Sequence, residues 1–535
     1  RDRDSDFKIK SVAIIGSGVA GLTSLFELLH TKNDGSTSIH YDQSGELDIS
    51  RLANDNPAFS KIVAFEQSSK VGGIWAPSFD KVDVIPQEIF AREQYNDPYV
   101  LKPQTALPDE FKDFDYTFKT PFSTKEKVHS NNWANSGIYK LLYSNVPSRY
   151  LRNSFIPFEE KKDGKDSQKD LIYPLITNSE ISERLRVFLE RFELGKHIRL
   201  NSEVVDIRKT SDNTKWRVTV KQSSPHSNVV NWYSELFDAV IVGNGHYSVP
   251  HVPKIKGLSS WNSRFESSIF HSKAFRTPKI FENKVCLFVG TGLSGIDILQ
   301  YAFPIAKSVI VSRTQGKKEI YDWLTNAATS DGIIVKPRIK ELRPQEGRKV
   351  LFDDGSFVDS VDYIIFSTGY HWHYPFLSKD DTEVSVIPSD NKKIPDGSSM
   401  VEGLHLNTFA IKDPSLAFVG VTLTPFKWPS FELTASAIAG VWTNNSKLPE
   451  KAHQNNDSKK KLERTGQSVL YHYYPAEKFP EFVEELSGYL PKGRSSTNIY
   501  DGNHLNEIDA SFLTAEKLFY QLKRGEINVS DTLLS

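Results

Sequence analysis

The chain has 535 residues, enough for roughly two to four domains, and its 38% hydrophobic and 25% charged content is typical of a soluble globular protein. Its formal net charge of −1 provides no field that would attract nucleic acid or an acidic membrane surface, so neither is expected as a partner. No apolar run approaches the ~18 residues that a membrane-spanning helix requires, so no transmembrane segment is expected.

Seven short apolar segments predict β-strands along the chain. Each has four or five residues, nearly all apolar, and several end at glycine. Strands of this kind are buried on both faces, as in a parallel sheet that helices cover, so the pattern predicts an α/β fold. The segments are VAII (12–15), IVAF (62–65), AVIVG (239–243), VCLFV (285–289), SVIVS (308–312), YIIFS (363–367) and LAFVG (416–420).

Other patterns predict the elements between these strands. Thr177 and Glu180 form a capping-box pattern, and apolar residues at helical spacing follow them. Residues 203–220 have the pattern of a hairpin that turns at Asp212–Asn213. Polar tracts at 31–60 and 81–132 are interpreted as insertions, and the tract at 453–467 as a solvated linker or an exposed helix face.

The first glycine-rich loop follows the first predicted strand. The sequence GSGVAG places Gly16, Gly18 and Gly21 at the start of a helical pattern. This arrangement allows a tight turn, close backbone approach to a pyrophosphate and close helix packing. Glu66 ends the next predicted strand, 45 positions after Gly21, and the polar tract at 31–60 accounts for the distance. A carboxylate there can accept hydrogen bonds from both hydroxyls of an unphosphorylated ribose, so this loop is predicted to bind FAD.

A second glycine-rich loop repeats the design later in the chain. The sequence GTGLSG contains Gly290, Gly292 and Gly295, again between a predicted strand and a helical pattern. The next predicted strand ends without a carboxylate, in Ser312, Arg313 and Thr314. A guanidinium group suits a ribose 2′-phosphate, which an acid would repel, so this loop is predicted to bind NADPH. The alternative for Arg313 is a solvated charge at the end of a strand.

Cys286 is the single cysteine of the chain. It lies in a predicted buried strand, and one cysteine excludes an intrachain disulfide or a dithiol active site. A disulfide reductase with two dinucleotide sites needs a redox-active cysteine pair, so that class of flavoprotein is excluded. No metal site is predicted.

The segment just before the second loop resembles the fingerprint of the flavin-containing monooxygenases, FxGxxxHxxx followed by Phe or Tyr. Phe265, His271 and Phe275 lie at the spacing of that fingerprint, whereas Ser267 stands where the family has glycine. Phe275 in place of tryptophan resembles the branch that oxygenates nitrogen and sulfur, rather than the Baeyer–Villiger branch. His271 is interpreted as a hinge or packing residue rather than an acid or a base.

Further segments are similar to motifs of the same family. They are EQSSKVGGIW (66–75) with Gly73 and Trp75, YKLLYSNVP (139–147) with Asn145, NGHYSVP (244–250), FSTGY (366–370) with Thr368 and Gly369, and PFKWPSFE (425–432). The resemblance implies two Rossmann-like dinucleotide-binding domains, with the NADPH domain inserted into the FAD domain. The expected boundaries are 1–247 for the first part of the FAD domain, 248–369 for the NADPH domain, and 370–535 for the second part of the FAD domain with a C-terminal extension.

The resemblance also implies a reaction. NADPH would reduce FAD, O2 would add to give a flavin C4a-hydroperoxide, and one oxygen would pass to a soft nitrogen or sulfur of a small amine, thiol or thioether. Asn145 is the expected catalytic residue, beside the flavin, although a turn residue before Pro147 is the alternative. Tyr370 and Trp372 are expected to line the substrate pocket, with a core position as the alternative. A homodimer is the expected assembly and the cytoplasm the expected compartment, with secretion or the endoplasmic reticulum as alternatives.

Three other functions compete with this interpretation. One is a Baeyer–Villiger monooxygenase that acts on ketones. A second is an NADPH oxidase that releases hydrogen peroxide, and a third is a nucleotide-binding sensor without catalysis. Each predicts a different fate for the electrons of NADPH, so product analysis distinguishes them.

Overall fold

A computed structural model describes residues 6–112, 122–125, 133–157, 169–224, 226–390 and 399–527. Within these ranges the strands are β1 (Ser11–Ile15), β2 (Lys61–Phe65), β3 (Phe122–Lys125), β4 (Ile198–Arg199), β5 (Ser202–Lys209), β6 (Trp216–Ser223), β7 (Val229–Phe237), β8 (Ala239–Val242), β9 (Ile269–His271), β10 (Val285–Val289), β11 (Ser308–Ser312), β12 (Ile334–Lys336), β13 (Ile339–Arg343), β14 (Lys349–Phe352), β15 (Phe357–Val358), β16 (Tyr363–Phe366), β17 (Ser385–Pro388), β18 (Ser399–Glu402), β19 (Leu404–His405), β20 (Phe409–Ala410) and β21 (Leu416–Phe418). The α-helices of these ranges are α1 (Val19–Leu29), α2 (Gln87–Ala91), α3 (Pro98–Leu101), α4 (Asn178–Arg191), α5 (Leu258–Arg264), α6 (Leu293–Ala302), α7 (Asp322–Ala328), α8 (Lys379–Thr382), α9 (Lys427–Trp442), α10 (Lys451–Thr465), α11 (Phe479–Ser487) and α12 (Leu505–Lys523).

The first of two large sheets has seven strands, in the order β19-β20-β21-β8-β1-β2-β4. Strands β21, β8, β1, β2 and β4 are mutually parallel, and β19 and β20 add an antiparallel edge. Alternate residues of β1 enter different cores: Val12 and Ile14 pack with α1 and α9, whereas Ala13 and Ile15 pack with β6 of an antiparallel sheet. Both faces of this strand are therefore covered, as its continuous apolar sequence predicts.

A second sheet contains five parallel strands in the order β12-β11-β10-β16-β9. All five belong to the part of the chain between β8 and β21, so the chain leaves the first sheet, completes the second and returns. All seven strands predicted from apolar runs are present, and they form the centres of these two sheets. The α/β prediction with two Rossmann-like units is confirmed, while the domain boundaries at 247 and 369 remain predictions.

Local signals of the sequence also set the bounds of individual elements. Thr177 caps α4 by accepting a hydrogen bond from the Glu180 amide at 3.2 Å. The predicted hairpin forms from β5 and β6, and Asn213 in its turn has φ +60°. The tract at 453–467 is mostly helical, as part of α10. The predicted insertion at 81–132 lies partly outside the described residues.

The helices of the described ranges include none that is both long and apolar enough to cross a membrane. Within the same ranges, no group of three or more histidine, cysteine, aspartate and glutamate side chains is placed to hold a metal ion. Cys286 is buried in β10, and burial raises the pKa of its thiol to about 12, so this thiol does not supply a reactive thiolate.

Candidate functional site

The first glycine loop joins β1 to α1. Gly16 has φ +96°, a backbone conformation that favours glycine, and Gly18 precedes the first residue of α1. A Cβ atom at Gly21 would lie 2.0 Å from the carbonyl oxygen of Gly16, so the third glycine is required for the helix to approach the turn. The free amides at the start of α1 therefore face the space that a pyrophosphate would fill.

Glu66 follows β2 at the edge of this loop and is buried. Its Oε1 accepts hydrogen bonds from the Ser17 amide at 3.1 Å and the Ser17 hydroxyl at 2.8 Å, and its Oε2 accepts one from the Ser68 amide at 2.9 Å. These contacts fix the carboxylate beside the first loop with lone pairs still free for a ribose. The contact of Glu66 with an FAD ribose remains a prediction.

Gly73 and Trp75 lie on the other side of the first loop. Gly73 has φ +60°, and a Cβ atom there would lie 2.9 Å from the Cα of Gly18. The two loops therefore touch through glycine backbones. The carbonyl of Trp75 accepts a hydrogen bond from the Ser182 hydroxyl of α4, which anchors this turn to the helix.

The second glycine loop joins β10 to α6 and has the same backbone design. Gly290 has φ +91°, and a Cβ atom there would lie 2.5 Å from the carbonyl oxygen of Ser367. A Cβ atom at Gly295 would lie 2.7 Å from the carbonyl oxygen of Gly290. The loop is therefore closely packed on the segment that follows β16, where the chain leaves the second sheet.

The end of β11 carries the side chains predicted to select the coenzyme. Ser312 donates a hydrogen bond to the carbonyl of Pro337, and Arg313 donates one to the carbonyl of Lys317 at 2.9 Å. Glu319 lies 3.9 Å from the guanidinium of Arg313 and accepts a hydrogen bond from Thr291 at 2.6 Å. The sequence analysis identified no acid here, because Glu319 comes from the loop after β11 rather than from its end.

The chain crosses between the two sheets twice, after β8 and after β16, and these two crossings lie beside the glycine loops. The amide of His251 donates to the carbonyl of Gly369 at 2.9 Å, and the hydroxyl of Thr368 donates to the carbonyl of His251. His271 lies 2.8 Å from the same Gly369 carbonyl through Nε2 and accepts from the Lys273 amide through Nδ1. Burial lowers the pKa of His271 to about 3, so the imidazole is neutral. It links the fingerprint segment to the crossing after β16 by its contact with Gly369. This geometry supports a packing role for His271.

Both loops line one cavity of about 1370 Å³. The predicted site residues on its wall are Gly16, Gly18, Glu66, Gly73, Trp75, Asn145, Gly290, Gly292, Ser312, Arg313, Thr314, Thr368, Gly369, Tyr370 and Trp372. Gly21 and Gly295 are not on the wall, because they face the packing contacts described above. The structure thus brings the two predicted nucleotide sites and the predicted substrate residues together.

Asn145 is exposed on the cavity wall, between buried neighbours. Ser144 donates from its hydroxyl to the carbonyl of Val146 at 2.8 Å and pairs through its backbone with Ile176, so the position of the loop is fixed. The Asn145 side chain faces the cavity from a rigid support. Its role at the flavin remains a prediction.

Aromatic groups cover the wall near the crossings. Trp372 is 5% exposed and stacks on His246, with ring centroids 3.9 Å apart. Tyr247 is 42% exposed and lies 5.6 Å from Tyr370 between ring centroids. This part of the cavity presents rings to whatever occupies it, which suits a small apolar or aromatic group.

Lys273, Asp297 and Lys427 are among the further charged side chains near the cavity that were not predicted from the sequence. Lys273 pairs with Asp83 at 3.0 Å and donates to two backbone carbonyls, so it joins the fingerprint to the polar tract that begins near residue 81. Asp297 in α6 and Lys427 at the start of α9 lie on the wall itself. The available signals were an acid in the otherwise apolar helix IDIL and a lysine inside PFKWPSFE.

The middle glycine of each loop shows whether the loop fits a dinucleotide. Gly18 and Gly292 have φ of −74° and −72°, which any residue can adopt. A Cβ atom at Gly18 would make only an ordinary 3.5 Å contact with Gly73, and one at Gly292 would meet nothing within 4 Å. The protein does not need glycine at either position for its own packing. A phosphate that approaches the backbone does need it, so both loops fit a dinucleotide.

Known proteins share this fold and this sequence pattern. A family model described as flavin-binding monooxygenase-like matches residues 130–332 and 317–489. The chain is 30% identical over 446 residues to flavin-containing monooxygenase FMO GS-OX-like 9 of Arabidopsis thaliana. This match covers 82% of this chain and 77% of that protein. It is 26% identical over 491 residues to flavin-containing monooxygenase ustF2 of Aspergillus flavus, covering 86% of this chain and 88% of that protein.

Among solved structures, S-allyl-L-cysteine S-oxygenase from Allium sativum has a TM-score of 0.62 and 23% identity, and the match covers 97% of this chain and all of that chain. This likeness shows a common fold. Since the family model covers more than half of the chain and a relative reaches 30% identity over most of it, the chain belongs to the flavin-binding monooxygenase-like family and is a flavin-dependent monooxygenase that uses FAD and NADPH.

Proposed function

We propose that this protein uses NADPH and O2 to transfer one oxygen atom to a soft nitrogen or sulfur of a small molecule. The observation that carries the proposal is the single cavity lined by both glycine loops, since a hydride can pass between two cofactors only where their sites meet. Phe275 supports the nitrogen and sulfur branch by the resemblance described above. The domain boundaries, the homodimer and the cytoplasmic location remain predictions.

Each loop has a defined part in this function. The amides at the start of α1 would hold the phosphates of FAD, and Glu66 would accept hydrogen bonds from its ribose. The amides at the start of α6 would hold the pyrophosphate of NADPH, and Arg313 would contact its 2′-phosphate. FAD supplies the chemistry that accepts a hydride and activates O2, and the chain supplies position and shielding from water.

Asn145 would act on the cavity side of its loop. Its amide can donate and accept hydrogen bonds, and Asn145 is exposed on the cavity wall, so a bound ligand can reach it. Tyr370 and Trp372 would exclude water from the same space. Efficient oxygen transfer requires this shielding, because water or a missing hydrogen bond diverts the reaction to hydrogen peroxide.

The variant Asn145→Ser tests this assignment. We expect NADPH to bleach the flavin within a few-fold of the parent rate, because the substitution leaves the second glycine loop and Arg313, which would bind the coenzyme, unchanged. We expect oxygenated product per NADPH to fall and hydrogen peroxide to rise by the same amount, since a hydrogen bond worth ~0.5–1.5 kcal/mol is lost. NADPH, product and peroxide are measured together with a small thioether and a tertiary amine.

The exposed residue Asn498, remote from the cavity wall, provides the control as Asn498→Ser, which should couple like the parent. Unchanged coupling in Asn145→Ser would make Asn145 a turn residue only. If the parent protein oxygenates neither substrate and converts all NADPH electrons to peroxide, the oxygen-transfer function itself is wrong and the oxidase alternative stands.

A further inference from the structure

Lys427 is a charged residue of the cavity wall that neither glycine loop uses. It is the first residue of α9, and among the described residues its Nζ has one hydrogen bond, a long one of 3.4 Å to the carbonyl of Thr422. None of the ion pairs formed among the described residues includes it. An ammonium group has three donors, so Lys427 retains hydrogen-bonding capacity toward the cavity.

The groups that surround Lys427 do not neutralise it. Its Nζ lies 6.0 Å from the ring centroid of Tyr247, and the imidazoles of His246 and His472 also lie within its electrostatic influence. Burial lowers the pKa of both imidazoles, that of His472 to about 3, so both are neutral. His472 accepts from the Val401 amide through Nε2 and is therefore engaged with the protein.

A half-buried ammonium without a carboxylate partner is unfavourable for the folded protein. Burial lowers the pKa of Lys427 to about 8, which leaves the side chain mostly protonated at neutral pH. The N-terminal end of α9 adds positive potential at the same place, instead of compensating the charge. An anion that enters the cavity would relieve this cost and gain a charge-assisted hydrogen bond.

The phosphates of the two cofactors already have positions elsewhere. The FAD pyrophosphate would bind at the start of α1 and the NADPH pyrophosphate at the start of α6, and the 2′-phosphate would contact Arg313. Lys427 instead faces Tyr247 and His246, and His246 stacks on Trp372, which was predicted for the substrate pocket. Lys427 therefore places a positive charge on the substrate side of the cavity, apart from these phosphate positions.

We propose that Lys427 is a specificity-determining residue that binds a carboxylate of the substrate, so that this protein acts on small thioethers or amines that carry an acidic group. The proposal rests on the oxygen-transfer function proposed above. It names a substrate class, because a thioether sulfur must reach the flavin side of the cavity while the carboxylate remains at the start of α9. A neutral analogue of the same shape would lack the ionic contact.

The test compares 3-(methylthio)propanoate with its amide, which has nearly the same shape but no charge. We expect the parent protein to prefer the acid in kcat/KM by about 10- to 100-fold, the range that one charge-assisted hydrogen bond provides. In Lys427→Met this preference should fall to within about twofold, and Lys427→Arg should restore most of it. Lys461→Met is the matched control, because Lys461 is also half-buried with a pKa lowered to about 8 but lies off the cavity wall.

A binding measurement separates this proposal from the reaction. Pentanoate and pentanamide replace the sulfur by a methylene group, and their dissociation constants are measured by calorimetry on the oxidised, FAD-containing protein. Lys427→Met should weaken the binding of pentanoate by about 10- to 100-fold. The dissociation constants of pentanoate and pentanamide should then be nearly equal. Equal binding of pentanoate by the parent and Lys427→Met overturns the proposal.

The reduced flavin is the other anion that could meet Lys427. If Lys427→Met lowers the midpoint potential of the bound flavin while the acid preference and pentanoate binding stay as in the parent, Lys427 serves the flavin and the substrate proposal is wrong. If the parent oxygenates neither thioether, the oxygen-transfer function is wrong, and the pentanoate measurement still decides whether Lys427 binds a carboxylate.

Discussion

The two glycine loops have one backbone design and different surroundings. In each loop the first glycine has a positive φ, +96° at Gly16 and +91° at Gly290, and the third glycine allows the helix to pack on the turn. The middle glycine, in contrast, is not required by any contact of the protein. The comparison separates the positions that the fold needs from those that a ligand needs.

The loops differ at the end of the strand that follows each of them. Glu66 stands after β2, held by Ser17, whereas Ser312 ends β11 and Arg313 follows it. An acid suits a free ribose and a guanidinium suits a phosphorylated one, so we expect the residues beside the loops, rather than the glycines, to select each coenzyme. Four groups of substitutions test or sharpen this comparison.

The largest effects are expected at the two middle glycines. Gly18→Val places methyl groups where the first phosphates must lie, so the protein should fold but purify without flavin. Gly292→Val should retain its flavin yet fail to be bleached by NADPH. Flavin absorbance of the purified proteins and anaerobic NADPH titration measure both results. A yellow Gly18→Val protein, or a Gly292→Val protein that NADPH bleaches normally, would show that the loops are assigned to the wrong ligands.

The next effect concerns the choice of coenzyme. Arg313→Ala should raise the KM for NADPH by about 10- to 100-fold and change that for NADH little, because a charge-assisted bond of ~1.5–3 kcal/mol is lost only with the phosphorylated ribose. Glu319→Gln should lower the KM for NADPH, since Glu319 lies 3.9 Å from Arg313 and repels a phosphate. Arg343→Ala, off the cavity wall on β13, is the control. Equal losses with both coenzymes would make Arg313 structural.

A moderate effect is expected from Asp297, which occupies in α6 the place of Thr23 in α1. Burial raises the pKa of Asp297 to about 8, and its Oδ2 has no hydrogen-bond partner among the described residues. The folded protein therefore keeps a proton that the unfolded chain releases from about pH 4, so stability falls as the pH rises from about 4 to 8.

Asp297→Asn removes this proton dependence. We expect the free energy of unfolding to rise by ~1–3 kcal/mol at pH 8 and by much less at pH 5. Thermal unfolding at both pH values measures the difference, with the exposed Asp353→Asn as the control. A similar gain at both pH values would assign the effect to something other than ionisation of Asp297.

The smallest effect concerns the fingerprint before the second loop. Ser267 stands where the family has glycine, and its φ is +62°, a conformation that costs a serine more than a glycine. Ser267→Gly should stabilise the protein by ~0.5–1 kcal/mol in denaturant unfolding. Asn283→Gly, with φ +58°, should change stability less, because asparagine tolerates this conformation. A destabilised Ser267→Gly protein would contradict this explanation.

The sequence was sufficient for the two sheets and for the loops between their strands and helices. Continuous apolar runs such as those of β1 and β10 have one stable environment, the centre of a covered parallel sheet. A glycine with positive φ after such a run marks the turn, as at Gly16 and Gly290. These signals are local in the chain, so they can be interpreted without a structure.

Contacts between distant segments could not be predicted in the same way. Glu319 reaches Arg313 from a loop, and Lys273 pairs with Asp83 across 190 positions of sequence. Lys427 acquires its significance only because the residues that face it are neutral. The C-terminal segment that contains Leu470 also lines the cavity, although its sequence carries no motif. Such features depend on which distant segments pack together, and no periodic pattern in the sequence indicates that packing.

The most direct test of the account uses isotopically labelled oxygen. The parent protein is supplied with NADPH, 18O2 and 3-(methylthio)propanoate in unlabelled water, and the product is analysed by mass spectrometry. The account predicts a sulfoxide that carries one 18O atom, in an amount close to the NADPH consumed. Unlabelled product, or NADPH consumption matched entirely by hydrogen peroxide for both this thioether and a tertiary amine, would contradict oxygen transfer from O2.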